Sequence, residues 1–369
     1  MARATDVRRP VRRNPGHSPA GACGPVRRSP RAVLAGEGGF TLPELLVSLT
    51  LTLIVLGGAL TALQDANRAS QTGVALSEVN QNLRVGMNLL IRDLLQAGQG
   101  IPTGGIPLPT GVGAESIPRP SPEGAALTFP ADWTTLPAVS PGPALGAVVN
   151  GVPTDLVTLL VADAALDLNS EPFTFLSADG GLVDVPATLP IDDGATGVRP
   201  GDLIMLTNAR GNAIQEVTAV IGQRIVFGDE PPSRLNQPGA AQGSVLHLRN
   251  TNGTWPPTTG TRIQMITYYV ATAASGVPIL MRQANYGEPR MVAMGVENLQ
   301  LSFDLVDGVT NPTNVKSPES PNTPHQIRKA NLFGAARSAA EAPGPGRHVY
   351  ARMSTQVSLR SLAFVDRYR

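Results

Sequence analysis

The sequence predicts an α+β protein: one long helix that starts as a membrane span, followed by a mainly antiparallel β domain with long Pro/Gly-rich loops. Three observations predict it. No residue from Leu45 to Leu63 is charged. From Gln64 to about Gln96 the chain has no proline, and apolar residues recur at Leu76, Val79, Leu83, Met87, Leu90 and Leu94, spacings that place them on one helical face. Beyond that point, short strand-like runs alternate with turn signals to the end of the chain.

Residues 1–39 read as a basic leader. They are rich in Arg, Pro and Gly, show no apolar periodicity, and hold eight arginines against only Asp6 and Glu37. The net charge of +1 therefore conceals an asymmetry: the remaining 21 basic and 26 acidic residues leave residues 40–369 near −5. A body of that sign is no general partner for nucleic acid. The arginines adjoin an apolar run, a placement that holds this end of the chain in the cytoplasm. The leader is long for that task, and a later start at Val26 or Val33 is an alternative to Met1. The only cysteine, Cys23, lies in the leader, so the rest of the chain has no disulfide, thiol nucleophile or cysteine-bound metal.

Residues 40–63 are the expected transmembrane segment. At 1.5 Å per residue they span roughly 36 Å, enough to cross a bilayer with some tilt. A secretory signal has a shorter apolar core and a small-x-small cut site at its far end, and Leu60-Thr61-Ala62-Leu63-Gln64 matches that poorly. Pro43 fits only the first helical turn, where its missing N–H would be unpaired anyway. The helix should therefore start near Phe40–Leu42, directly after Gly38-Gly39. Glu44 is the residue that a plain anchor leaves unexplained, because a carboxylate in an apolar span costs free energy and usually has a partner.

Residues 64–98 read as the amphipathic continuation of the same helix, its apolar stripe packed on the protein's own sheet and Arg68, Glu78, Arg84 and Arg92 on the other face. Gly98, Gly100 and Pro102 end it. Gly57-Gly58 and Gly73 are its weak points.

Residues 99–153 form a Pro/Gly-rich loop region with a short strand expected at Ala126–Phe129, and residues 154–369 a β-rich extracytoplasmic domain. Strands are expected at Asp155–Val161, Phe173–Phe175, Asp202–Thr207, Ala213–Ile221, Gln223–Gly228, Ser244–Arg249, Thr261–Val270, Ile279–Gln283, Met291–Met294 and Val296–Leu305. Val309–Gly346 is a second loop-rich stretch, with a short helix or strand within Ile327–Ala340, and Val349–Leu362 reads as the last strand. No internal repeat is present.

The stretch Gly39-Phe40-Thr41-Leu42-Pro43-Glu44-Leu45-Leu46-Val47 resembles the type IV prepilin signal of pilins and pseudopilins. Gly39 stands as the last leader residue, Phe40 as the first mature residue and Glu44 at the fifth mature position. Three later pieces, Asn88–Gly98, Gly295–Phe303 and Thr355–Leu362, are similar to PilW-type minor pilins and the related J-type pseudopilins of type II secretion. The resemblance implies a pilin-like fold and a prepilin peptidase that cuts between Gly39 and Phe40 and N-methylates Phe40. It implies a bacterial inner-membrane protein, single-pass, with a cytoplasmic N-terminus and a periplasmic C-terminal domain. The subunit would then join, initiate or cap a type IV pilus or type II secretion pseudopilus, with other pilin or pseudopilin subunits as partners through the N-terminal helix. A cut at Gly39 creates an ammonium on Phe40 inside a helix bundle, and Glu44 of a neighbouring subunit is its natural counter-charge. Breaking such a pair by removing one partner is costly, so it sets an axial register. The chain departs from the family in its long leader. It also has Thr61 where major pilins often carry a proline, which leans toward a minor subunit.

No catalytic constellation is legible. His17, His247, His325 and His348 have no partners at metal or triad spacing. Gly111-Val112-Gly113 lacks the helix and lysine of a phosphate loop. Asp163, Asp167, Asn169 and Glu171, and the pair Asp192-Asp193, offer calcium-type ligands without EF-hand spacing and read as solvated acidic loops. Trp255 and Tyr268-Tyr269 read as packing residues. The expectation is a non-enzyme with no cofactor and no metal. The alternative is a filament- or membrane-anchored binding module, whose loops at 99–153 and 309–346 contact DNA, a surface or a secreted substrate; nucleic acid has no further support in the residues.

Overall fold

The computed structural model describes residues 39–192, 197–228, 231–339, 341 and 348–363. The leader expected at residues 1–38, with Cys23 and His17, lies outside the described residues. The chain divides into two compact units, Met1–Thr61 and Ala62–Arg369.

One helix, α1, spans Leu42–Gln96 and accounts for 55 residues. It starts at the residue before Pro43 and runs unbroken through Gly57, Gly58 and Gly73. In the first unit its apolar side chains point in every direction. Leu42, Leu45, Leu46, Val47, Ile54 and Val55 are each more than half exposed. A helix apolar all round belongs in lipid or among other helices, not in water. Its hydroxyls are satisfied within the helix itself: Ser48 donates to the Leu45 carbonyl at 3.0 Å, Thr50 to Val47 at 2.8 Å and Thr52 to Ser48 at 2.7 Å. Bonds of that kind leave no hydroxyl to be desolvated unpaired in an apolar medium. By length and composition this helix can cross a membrane.

In the second unit the helix becomes one-sided. Val79, Leu83, Met87, Leu90 and Leu94 are buried, as the stripe requires, whereas Leu76 stays 42 % exposed. Gly86 lies on the same face because the sheet comes very close there: a Cβ on it would stand 2.9 Å from Ala293 Cβ. The helix stops where Gly98, with a left-handed φ of 83°, turns its N–H to the Leu160 carbonyl at 2.8 Å.

The rest of the second unit is antiparallel β. Its axis is the 14-residue strand Thr259–Thr272. Leu156–Ala162 pairs along one edge of it; Leu203–Asn208 and then Pro278–Ala284 share the other. Gly211–Glu216, Arg290–Met294 and Val139–Gly142 complete a seven-stranded sheet. Asn285 closes the seam between the two strands on the shared edge, accepting from the Met265 N–H at 2.9 Å and donating its side-chain amide to the Gly201 carbonyl at 3.1 Å. A three-stranded sheet of Val296–Leu305, Ile327–Arg337 and Tyr350–Ser358 packs on the same helix face. A Cβ at Gly334 would meet Met87 Sδ at 2.9 Å. A four-stranded sheet carries a second core around Phe173, Val183, Ile225 and Phe227.

Several expected strands differ. Ser244–Arg249 is not a strand: Val245–Leu248 is a 3₁₀ turn, because burying both Val245 and Leu248 needs side chains three apart on one side. Ala126–Phe129 makes only an isolated bridge, Thr128 to Pro118. Ala213–Ile221 splits into two strands, since at Val217-Thr218 the chain leaves one sheet for another. The strand expected at Phe173–Phe175 is Phe175–Leu176, and the last strand ends at Ser358, before a short helix, Arg360–Ala363. The loop region 99–153 holds five short strands, of which Val139–Gly142 joins the main sheet as an edge. Within Ile327–Ala340 the element is a strand, Ile327–Arg337.

Candidate functional site at the start of the long helix

The residues singled out by sequence stand together at the N-terminus of α1. Gly39 has no heavy atom within 4 Å of where a Cβ would be. Phe40 is 82 % exposed. Thr41 is the residue before the helix, and its carbonyl accepts from the Leu45 N–H at 3.1 Å. Glu44, in the first turn, folds its carboxylate back onto Thr41. The Thr41 N–H donates to Glu44 Oε2 at 3.4 Å and the Thr41 hydroxyl donates to the same oxygen at 3.3 Å. This is half of a capping box: a residue three positions into the helix satisfies the backbone N–H of the cap. Thr41-Leu42-Pro43-Glu44 carries that pattern in the sequence, where Thr41 went unread. The position also sets a negative charge at the positive end of the helix. Both bonds are long and fully exposed, so Glu44 is restrained only weakly and its carboxylate is open to a stronger cationic partner.

The second unit holds a buried polar cluster that the sequence reading missed. Asp93 lies on the apolar stripe, one residue before Leu94, and is 3 % exposed. Its Oδ2 accepts from the Tyr268 hydroxyl at 2.8 Å and from Arg282 Nε at 2.8 Å. Arg92 adds a bond at 3.4 Å to Oδ1. Burial, then the Asp93 charge, pushes the Tyr268 hydroxyl well above its ordinary range, so it remains a donor. A carboxylate on an apolar helical stripe was the visible sign that a partner lay across the core.

The other sequence-level candidates are held apart. Asp163 binds Arg262 at 2.8 Å and Gln264 at 3.0 Å. Burial draws its carboxyl upward, but the Ala165 N–H and Arg262 outweigh that and keep it below the usual range. Asn169 accepts from Thr259 and Glu171 from Thr188. These groups do not converge, and Asp193 lies outside the described residues. Among the described residues, no group of three or more His, Cys, Asp or Glu is placed to hold a metal. His247, His325 and His348 meet Ser244, Thr135 and the Ser338 carbonyl respectively, at three separate places. Trp255 donates to the Ser177 carbonyl at 3.1 Å, and Tyr268 and Tyr269 are buried.

Comparison with known proteins bears on the first of these sites. Residues 34–60 match the family model described as the prokaryotic N-terminal methylation motif. No curated protein matches the chain. Among solved structures, a type IV-like pilin from Thermus thermophilus is similar at 12 % identity over 44 % of this chain and 87 % of that one, with a TM-score of 0.18.

Proposed function

We propose that the chain is a type IV pilin-type subunit, made as a precursor, anchored by α1 in the membrane and assembled with other pilins through that helix. The observation that carries the reading is the match of residues 34–60 to the N-terminal methylation motif, placed where Gly39, Phe40 and Glu44 coincide with the start of an apolar helix. A prepilin peptidase cuts after Gly39 and methylates Phe40. The C-terminal domain stands on the far side of the inner membrane from the leader, and the subunit passes from membrane to filament. Its role is structural, not enzymatic.

The exposure of the first unit supports assembly through the helix. A purely solitary anchor needs lipid contact and nothing more, whereas Glu44 at the helix start has, among the described residues, only the two weak bonds to Thr41. A methylated Phe40 ammonium from a neighbour supplies the stronger partner. Within the family, the finer reading is a minor subunit of the PilW type that initiates or caps a pilus or a secretion pseudopilus. Thr61, in place of the proline that major pilins often carry, favours it.

The test is mass spectrometry of the mature protein from its native host. The expected N-terminus is N-methyl-Phe40. A protein that keeps residues 1–39, or is cut elsewhere, overturns the reading.

A further inference from the structure

The two loop-rich stretches, separated by most of the domain in sequence, meet in space. Gly104, residues 132–135 and Pro137 from the first, and Pro318 and residues 320–325 from the second, line one open groove of about 460 Å³. His325 ties the two sides together through a 3.0 Å hydrogen bond between its Nε2 and the Thr135 hydroxyl. Arg328 braces that histidine from behind, donating to its carbonyl at 2.6 Å.

The groove has one aromatic wall, Trp133. Its ring is fixed from within the fold: the Phe129 ring lies 6.2 Å away, and the Arg119 guanidinium sits over Phe129 at 5.5 Å. Arg119 in turn is buried and donates to the Ser140 and Pro141 carbonyls and the Thr158 hydroxyl. The platform is thus built before any ligand arrives. Around it stand groups with unused hydrogen-bonding capacity. Asp132, the Trp133 indole N–H, and the side chains of Thr134, Ser320 and Asn322 form no side-chain hydrogen bond among the described residues.

We propose that this groove binds a neutral oligosaccharide, stacked on Trp133 and hydrogen-bonded through Asp132 and Asn322. Three features select that chemistry. An indole offers a flat apolar face and a donor at its rim, which suits the C–H face and hydroxyl edge of a pyranose. A carboxylate, an amide and hydroxyls supply both donors and acceptors for sugar hydroxyls. No lysine or arginine lines the groove, and Asp132 adds negative charge, so a nucleic-acid backbone finds no counter-charge there. The site does not depend on the N-terminal cut, because every residue of it lies between Gly104 and His325.

The experiment uses the full chain in detergent, titrated with maltotriose, cellotriose and triacetylchitotriose, with a short single-stranded DNA and a proline-rich peptide as competitors of other classes. The chain has two tryptophans, so a Trp255→Phe variant makes the fluorescence report on Trp133 alone. Calorimetry on the unaltered chain gives the same answer if that variant fails to fold. The expected result is saturable binding of at least one trisaccharide, weakened about tenfold or more by Asp132→Ala or Asn322→Ala without a change in melting temperature. No saturable signal with any trisaccharide, binding indifferent to both variants, or saturation only by DNA or peptide overturns the proposal.

Discussion

Arg282 Nε stands 2.8 Å from Asp93 Oδ2, and this ion pair ties the long helix to the β domain across 189 residues of sequence. Asp93 is almost wholly enclosed, whereas Arg282 retains some access to solvent, its side chain 23 % exposed. Removing the acid leaves a half-buried cation and a buried phenol that has lost its acceptor. Asp93→Ala is therefore expected to cost about 3 kcal/mol, at the lower end for a broken buried pair because Arg282 can rehydrate in part. The combined change Asp93→Leu, Arg282→Met and Tyr268→Phe, which leaves no member of the cluster buried and unpaired, should recover most of that loss. Thermal unfolding followed by near-ultraviolet circular dichroism on all three forms checks it. A single variant as stable as the parent would show that the pair does not hold the helix.

The contrast between Asp93 and its neighbours shows what the sequence could convey. The limits of α1 follow from local backbone chemistry: Pro43 lacks an N–H, and Gly98 alone accepts the left-handed turn at low cost, so both ends were legible. The buried stripe was legible for the same reason, since helical spacing is local. Asp93 sits on that stripe, but its partners Tyr268 and Arg282 come from strands far along the chain, and no local pattern names them. Pro141 hides another element. Among the described residues Val139–Gly142 pairs on only one side, so proline is tolerated at that edge, and a run containing it does not read as a strand. At the helix start, Gly39, Phe40 and Glu44 were legible as a motif. The hold of Thr41 on Glu44 was present in the same letters as a capping pattern, and passed unread because the carboxylate was assigned wholly to a neighbouring subunit.

His325 joins the two loops that form the groove, and its ionisation should loosen them. Burial first, and the Arg328 charge second, hold its imidazole below the ordinary value near 6.5. A base with a folded-state pKa below its unfolded value takes its proton more readily when unfolded. Its full contribution to stability is thus present above about pH 6.5 and declines as pH falls through the folded-state value. His325→Gln removes that part of the decline. Melting temperatures taken at about pH 7.5 and about pH 5 should differ less for the variant than for the parent. An equal difference in both would assign the decline to other groups.

Replacing Gly39 separates recognition from folding. A Cβ there has open space around it, so a larger residue leaves the folded chain undisturbed. Under the proposed function, Gly39→Val should accumulate as uncut precursor with an unchanged melting temperature, because the peptidase must take the backbone at that position without a side chain in the way. Immunoblotting for the size shift, with mass spectrometry of the N-terminus, measures it. Normal processing of the variant would contradict the assigned cut.

Under the proposed function, Glu44 has two roles to distinguish: a cap for its own helix, and a counter-charge proposed for another subunit's Phe40. Glutamine keeps an oxygen that can accept from the Thr41 N–H but carries no charge, whereas alanine removes both. Loss of the cap alone costs about 1 kcal/mol of local helix stability at a fully exposed end, too little to prevent folding or membrane insertion. Loss of the charge leaves a neighbouring ammonium buried without a partner, a larger penalty that arises only in the filament. Both Glu44→Gln and Glu44→Ala should therefore be cut and methylated at Phe40, yet be depleted from sheared filaments to a similar degree, with Thr41→Val little affected. Quantifying the protein in membrane and filament fractions tests this. Filament levels equal to the parent for Glu44→Gln would reduce Glu44 to a helix cap, and a shared loss in Thr41→Val would point to the same conclusion.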